Sequence, residues 1–255
     1  MKLTILGCGT SSGVPRIGGD WGACDPENPR NRRTRASVLI QSDTTTILVD
    51  TGPDMREQLL MAGVSDLDAV LWTHEHADHT HGIDDLRQIY HLKHAPVPGY
   101  ARERCLESVE RRFRYVFHGR GGYPPTASIQ LLPDRIVIGD IEVRTVDMPH
   151  GGITSAGFRF THDGRSIGYA TDFHEITGDM ESLFANLDLW VVDALRRAPH
   201  PTHANLATTL SAIEWLKPAR AILTHMDQSM DYAALSAELP AGVEPGHDRL
   251  EIVVR

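Results

Sequence analysis

The sequence predicts an α/β fold in which two sheets pack face to face with helices outside them, an αββα sandwich. Strand-like apolar runs come first, helical segments intervene, and strands return, as when helices flank packed sheets. With 255 residues and 41% hydrophobic content, the chain is long enough to bury one large core, and it reads as one domain over residues 1–255. No visible internal repeat and no low-complexity tract interrupts it. This pattern alone also admits other α/β arrangements.

Residues 2–6 open the chain as a strand, followed by the glycine- and serine-rich segment Gly7-Cys-Gly-Thr-Ser-Ser-Gly-Val-Pro15. Strands are expected at 37–41 and 45–50. A helix is expected over 53–62, because Asp54 to Leu60 has helical spacing and Gly63 stops it. A strand at 68–72 precedes helices at 83–92 and 101–112. Residues 93–126 otherwise depart from regular periodicity, with Pro96, Pro98, Gly99 and His118-Gly-Arg-Gly-Gly-Tyr-Pro-Pro125. A flap beside the site and a plain surface connection both fit that stretch. Further strands are expected at 128–132, 141–147, 156–161, 166–171, 188–193 and 219–223, with helices at 179–185, 205–216 and 231–237. Asn205 or Thr202 caps the helix carrying Leu210, Ile213 and Leu216, and Pro218 ends it.

The chemistry concentrates in Thr73-His-Glu-His-Ala-Asp-His79, directly after the apolar run Ala69-Val70-Leu71-Trp72. Imidazoles and carboxylates therefore gather where a buried strand ends and a turn begins. A lone histidine is more often a satisfied core or surface side chain. His74, His76, Asp78 and His79 together, at this spacing, point to metal. Imidazole nitrogen and carboxylate oxygen suit zinc, manganese or iron. The pattern also suits two adjacent ions, the His-x-His pair on one and Asp78 with His79 on the other. His150, Asp172 and His225 each end another apolar, β-rich run. A sandwich of sheets would bring all of these to one rim.

These motifs resemble the metallo-β-lactamase superfamily, and the resemblance covers nearly the whole chain. It implies an αββα sandwich of the metallo-β-lactamase type holding two divalent ions, zinc or manganese, with iron as a further option. By that resemblance His74, His76 and His150 hold one ion, Asp78, His79 and His225 the second, and Asp172 bridges where true β-lactamases carry a cysteine. Asp50, in Ile47-Leu-Val-Asp-Thr-Gly52, matches the family's buried aspartate, which supports the ligands and braces the loop. Within the superfamily, the Gly7–Pro15 segment, Trp21-Gly22, the arginine-rich approach to Ser37 and Pro199-His-Pro-Thr-His203 resemble the phosphoribosyl cyclic phosphate diesterases of phosphonate breakdown. A histidine near the last motif assists phosphodiester cleavage in that family, and His203 is the matching position. The chain also departs from the family. Of the cysteines that hold a small structural zinc there, only Cys24 remains, and Gln228 stands where a histidine is expected. No structural zinc is therefore expected, and the cyclic phosphoribose substrate stays open.

The expected activity is that of a metal-dependent phosphoric diester hydrolase acting on a small phosphodiester or cyclic phosphate. Two ions roughly 3.5–4 Å apart would present a bridging hydroxide for in-line attack on phosphorus. Asp172 suits the bridge because a carboxylate has two oxygens, and Asp78 shares the catalytic centre. His203 is the candidate general acid, or a stabiliser of a phosphoryl oxygen. Arg32, Arg33 and Arg35 form a cluster from which one pairs with a distal phosphate, though a solvated turn fits equally. Ser11 and Ser12, among glycines, let backbone N–H groups approach an anion. His91 and His94 read as an exposed helix face. A thiolester or lactone hydrolase of the same superfamily is the nearest alternative, followed by a transfer-RNA 3′-processing nuclease. A scaffold without catalysis would be expected to lose ligands.

The net charge is −9 with neutral histidines. Two divalent ions would add about four positive charges. No broad basic field is evident, which counts against nucleic acid as a partner. Cys8, Cys24 and Cys105 are odd in number and widely spaced, which suits a reduced cytoplasm without a disulfide framework. No apolar run reaches the roughly 18–20 residues that span a bilayer. The start is too short for a signal peptide. A homodimer stays open.

Overall fold

The computed structural model describes residues Met1–Arg255. The first half contains β1 (Lys2–Gly7), β2 (Ser37–Gln41), β3 (Thr46–Val49), α1 (Met55–Ala62), β4 (Ala69–Trp72), α2 (Ala77–Thr80), α3 (Leu86–Lys93), β5 (Gly99–Ala101), α4 (Glu103–Arg112), α5 (Arg114–His118) and β6 (Gln130–Leu131). The second contains β7 (Arg135–Ile138), β8 (Ile141–His150), β9 (Ile153–His162), β10 (Arg165–Ala170), α6 (Gly178–Phe184), β11 (Leu189–Asp193), α7 (Leu206–Leu216), β12 (Ala221–Thr224), α8 (Tyr232–Glu238), β13 (Val243–Pro245) and β14 (Glu251–Val253).

The strands form two seven-stranded mixed sheets, ordered β14-β1-β2-β3-β4-β5-β6 and β13-β12-β11-β10-β9-β8-β7. Alternation along the strands explains how the layers stack. Val38 and Ile40 of β2, Ile47 and Val49 of β3, and Ala69 and Leu71 of β4 enter a core shared with the second sheet. The intervening Leu39, Leu48, Val70 and Trp72 face the other way, into a smaller core with α1, α3, α4 and α5. Both faces of these strands are buried, which is why they read as continuous apolar runs rather than alternating ones. On the far side, Met180, Leu183 and Phe184 of α6 and Leu206, Ala212 and Leu216 of α7 join the shared core. Asn205 caps α7 by accepting the Thr208 N–H at 2.9 Å, and Lys217 ends it in the left-handed conformation just before Pro218. The α/β sandwich is therefore as expected.

Several elements differ from the sequence reading. Within the 93–126 stretch, α4 matches the helix expected at 101–112, while β5 and α5 add regular structure where a loop was expected. β5 opens on Gly99, a residue that signals a turn in sequence. Its missing side chain makes room for the Trp72 indole, since a Cβ there would lie 2.4 Å from the ring. The strand expected at 128–132 shortens to the two residues of β6. β7, β13 and β14 were not expected. β13 and β14 are three-residue edge strands, too short to show a period. No helix is long and apolar enough to cross a membrane.

Candidate metal centre

Strand direction places the chemistry. β10, β11 and β12 run parallel, and β8 shares their direction because β9 lies antiparallel between β8 and β10. Their carboxyl ends therefore meet at one edge, where α/β sheets commonly bind ligands. His150, Asp172, Asp193 and His225 all lie there. In the opposing sheet β3 and β4 are also parallel, delivering Asp50 and the His74–His79 segment. The rims are joined directly, the Ala156 N–H donating to the Thr73 carbonyl at 2.8 Å. Asp50, Asp172 and His225 adopt positive φ of 66°, 60° and 58°. Asp and His are among the non-glycine residues that tolerate this region best, and such conformations cluster at functional sites.

The seven side chains singled out by the sequence converge. His74, His76 and His150 form one set of potential ligands, and Asp78, His79 and His225 a second, each with donor atoms within 4.8 Å of one another. Asp172 lies between them. Its Oδ1 is 3.9 Å from His74 Nε2 and 3.7 Å from His150 Nε2. Its Oδ2 is 3.3 Å from His79 Nε2 and 3.6 Å from His225 Nε2.

Hydrogen bonds behind the histidines decide which nitrogens face the centre. His79 Nδ1–H donates to Asp50 Oδ2 at 2.7 Å, so Nε2 is the nitrogen turned toward Asp78 and Asp172. Asp50 also accepts the Thr73 N–H at 2.8 Å and is fully buried. His150 Nδ1–H donates to the Thr202 carbonyl at 2.8 Å, again leaving Nε2 free. His79 Nε2 and both ring nitrogens of His225 are buried and have no hydrogen-bond partner. Buried polar atoms are seldom left so. Orphaned nitrogens converging with two carboxylates fit divalent cations of the nitrogen- and oxygen-loving kind.

The electrostatics agree. Burial pushes the His74 imidazole well below its ordinary pKa, helped by the neighbouring His79. Burial opposes charge on His79 too, but Asp78, Asp172 and Asp50 outweigh it and hold His79 well above the ordinary value. For His225, burial is likewise overcome, by Asp172, Asp78 and Asp193, raising it to about 9. Asp172 is fully buried yet held well below the carboxylate range, because His225, His79, His74 and His203 overcome its desolvation. A bound cation would displace the balancing protons from these imidazoles.

His203 sits beside this cradle. Its ring lies 4.7 Å from that of His150 and stacks over His225 at 4.8 Å, tilted by 14°. Asp193, at the end of β11, accepts its Nδ1–H at 2.9 Å, leaving Nε2 unengaged. Asp193 Oδ2 also accepts the Asp172 N–H at 3.1 Å, so one buried carboxylate orients both His203 and the loop carrying Asp172. Sequence reasoning assigned no role to Asp193. The available signal was a second apolar run ending in aspartate, Leu189-Trp-Val-Val-Asp193, like Ile47-Leu-Val-Asp50.

The substrate-contact residues divide. Ser11 and Ser12 are exposed on a loop tied to the site, because Thr10 N–H donates to the carbonyl of Met226 at 3.2 Å. Arg35 pairs with Asp54 at 2.8 Å and reaches the Ser11 carbonyl at 3.3 Å. Arg32 is exposed and lies 5.2 Å over the Trp21 ring. Arg33, expected as a phosphate contact, is instead buried. It is 2% exposed, and its guanidinium donates to the Asp227 and Met230 carbonyls and to Cys24 Sγ. It is an internal brace for the loop after His225, not a phosphate contact.

Residues 45–226 match the family model of the beta-lactamase superfamily domain. The chain belongs to this family. Among solved metallo-β-lactamase folds, a structure of a new diphosphatase from the PhnP family has a TM-score of 0.90 and 36% identity, covering 98% of this chain and 96% of that one. Zn(2+)-bound PqqB from Methylobacterium extorquens shares the fold, with a TM-score of 0.79 at 18% identity over 100% of both chains. The octanoyltransferase of Porphyromonas gingivalis (strain ATCC BAA-308 / W83) is 33% identical over 100% of this chain and 52% of its own length. The chain thus spans about half of that curated relative. Its fold is of the metallo-β-lactamase type, and over nearly its whole length it resembles that PhnP-family protein.

Proposed function

We propose that the chain is a phosphodiesterase acting on a small cyclic phosphate or nucleotide-like phosphodiester. Two divalent ions, zinc or manganese, would be held by His74, His76 and His150 on one side and Asp78, His79 and His225 on the other, with Asp172 between them. When bound, such ions supply Lewis acidity and activate water at neutral pH. The observation carrying the reading is His203. Asp193 holds its Nδ1–H, and its ring lies against both ligand sets. A histidine so fixed can give a proton from Nε2 to a departing sugar oxygen, which is a poor leaving group unprotonated. Asp193 keeps the ring oriented. Asp50 and the Thr202 carbonyl fix the ring tautomers of His79 and His150. Ser11 and Ser12, on the loop next to the site, and Arg35, which reaches the Ser11 carbonyl, are the candidates for contact with the rest of the substrate.

The likeness to a diphosphatase at 36% identity favours a second reading, hydrolysis of a small diphosphate. A phosphate leaving group needs less protonation than an alkoxide, so the two readings separate at His203. The test is turnover of bis(p-nitrophenyl) phosphate, a ribose cyclic phosphate, a nucleoside diphosphate, a thiolester and a lactone, using stripped protein refilled with zinc or manganese. Metal-dependent cleavage of the diesters, lost in Asp172→Ala, supports the proposal. His203→Ala should then lower turnover of the ribose cyclic phosphate by about 10²–10⁴-fold with metal content unchanged, and slow bis(p-nitrophenyl) phosphate, whose nitrophenolate leaves unprotonated, far less. Activity confined to the thiolester or lactone overturns it.

A further inference from the structure

On the helical side, the turn at residues 83–85, α3, α5 and the loop at 119–126 enclose a cavity of about 730 Å³. It shares no wall residue with the histidine–aspartate cluster. The volume falls within the roughly 300–1,000 Å³ of small-molecule sites. Arg87 and Arg120 both line the cavity. Neither guanidinium is in an ion pair, and Arg87 has only a 3.4 Å contact with His91. The acid in the wall, Asp84, is engaged as acceptor for the Tyr115 hydroxyl at 2.6 Å.

The aromatic part of the wall is built and not incidental. Arg120 and Tyr123 exchange backbone hydrogen bonds of 3.1 and 3.0 Å, closing a tight hairpin. Gly119, at φ 68°, lets the chain fold back so closely that a Cβ would lie 2.3 Å from the Tyr123 carbonyl. The hairpin holds the Tyr123 ring 71% exposed, with Arg87 at 5.8 Å from its centroid. Tyr115 adds a second exposed ring. Exposed tyrosine faces beside unpaired guanidiniums are what a planar base carrying a phosphate requires, the ring for stacking and the fork for the anion.

We propose that this cavity binds a mononucleotide, with the base on Tyr123 and Tyr115 and the phosphate on Arg87 and Arg120. The site is separate from the metal centre, and the proposal does not depend on the reaction assigned there. The test is calorimetric titration of the full chain with AMP and with adenosine, both with zinc and with EDTA. Saturable AMP binding of equal strength in both conditions is expected. Arg87→Gln and Arg120→Gln should each weaken AMP about tenfold while leaving adenosine unchanged, and Tyr123→Ala should weaken both. A 5′-phosphorylated oligonucleotide that displaces AMP would assign the site to a nucleic-acid end, and failure to displace it would assign the site to free nucleotide. Absence of saturable binding, binding abolished by EDTA, or binding indifferent to all three substitutions overturns the proposal.

Discussion

Replacing Asp50 by asparagine tests how the centre is held. Asp50 is fully buried and sits at φ 66°, a conformation that asparagine also tolerates, so the substitution adds no backbone strain. One amide oxygen can still accept the Thr73 N–H, now 2.8 Å from Oδ1. The amide nitrogen then faces His79 Nδ1, where the carboxylate oxygen is 2.7 Å away. Two donors cannot share that contact, so the imidazole must move its proton to Nε2. That nitrogen lies 3.3 Å from both Asp78 and Asp172 and loses the lone pair a cation would use. Loss of such outer support typically costs 10–100-fold in metal affinity, about 1.4–2.7 kcal/mol. If two ions bind as proposed, the loss should fall on the one assigned to Asp78, His79 and His225 and spare the one assigned to His74, His76 and His150. Zinc titration against a chromophoric chelator resolves the two steps. Two unchanged steps, or equal weakening of both, would refute the argument from the tautomer.

Arg33→Met should destabilise the fold by roughly 3 kcal/mol, because buried carbonyls of Asp227 and Met230 lose their donor. That is a melting temperature about 6–12 °C lower for a chain of this size, and a raised KM with no change in melting would instead return Arg33 to substrate binding. Burial raises the Asp248 carboxyl to about 6, against donation from Thr34 and Cys8. The folded state therefore holds this proton more tightly than the unfolded state, with its ordinary value of 3.8. The resulting contribution is complete below about pH 4 and lost by about pH 6, on the order of 3 kcal/mol. Denaturant titrations across that window should show the slope in the native protein and a flatter one in Asp248→Asn.

The parts of the centre that were legible are those written in consecutive residues or at the ends of strong apolar runs. His74 to His79 needs no knowledge of tertiary structure, and His150, Asp172 and His225 were placed at the same edge because each ends an apolar, β-rich run. Asp193 was missed because an aspartate ending a buried strand looks like any other strand terminus. Only proximity to His203, ten residues on across a loop, reveals its task. Arg33 was misplaced for the opposite reason. Three arginines within four residues read as a solvated or anion-binding patch, while the acceptors that bury one of them lie 194 and 197 residues away. The edge strands β13 and β14 owe their conformation to the sheets they join, and three residues carry too little periodicity to announce it.

Neither sheet carries a complete set of donors. The segment after β4 provides His74 and His76, but His150 comes from β8. It provides Asp78 and His79, but His225 follows β12. Metal retention thus reports on assembly as well as on composition. A half-made chain emerging from the ribosome has every donor of the first trio once residue 150 is out, but the second remains incomplete until residue 225. A molecule whose layers have docked out of register offers no trio at all. Ion loading at the proposed centre would then discriminate correctly built copies from misassembled ones.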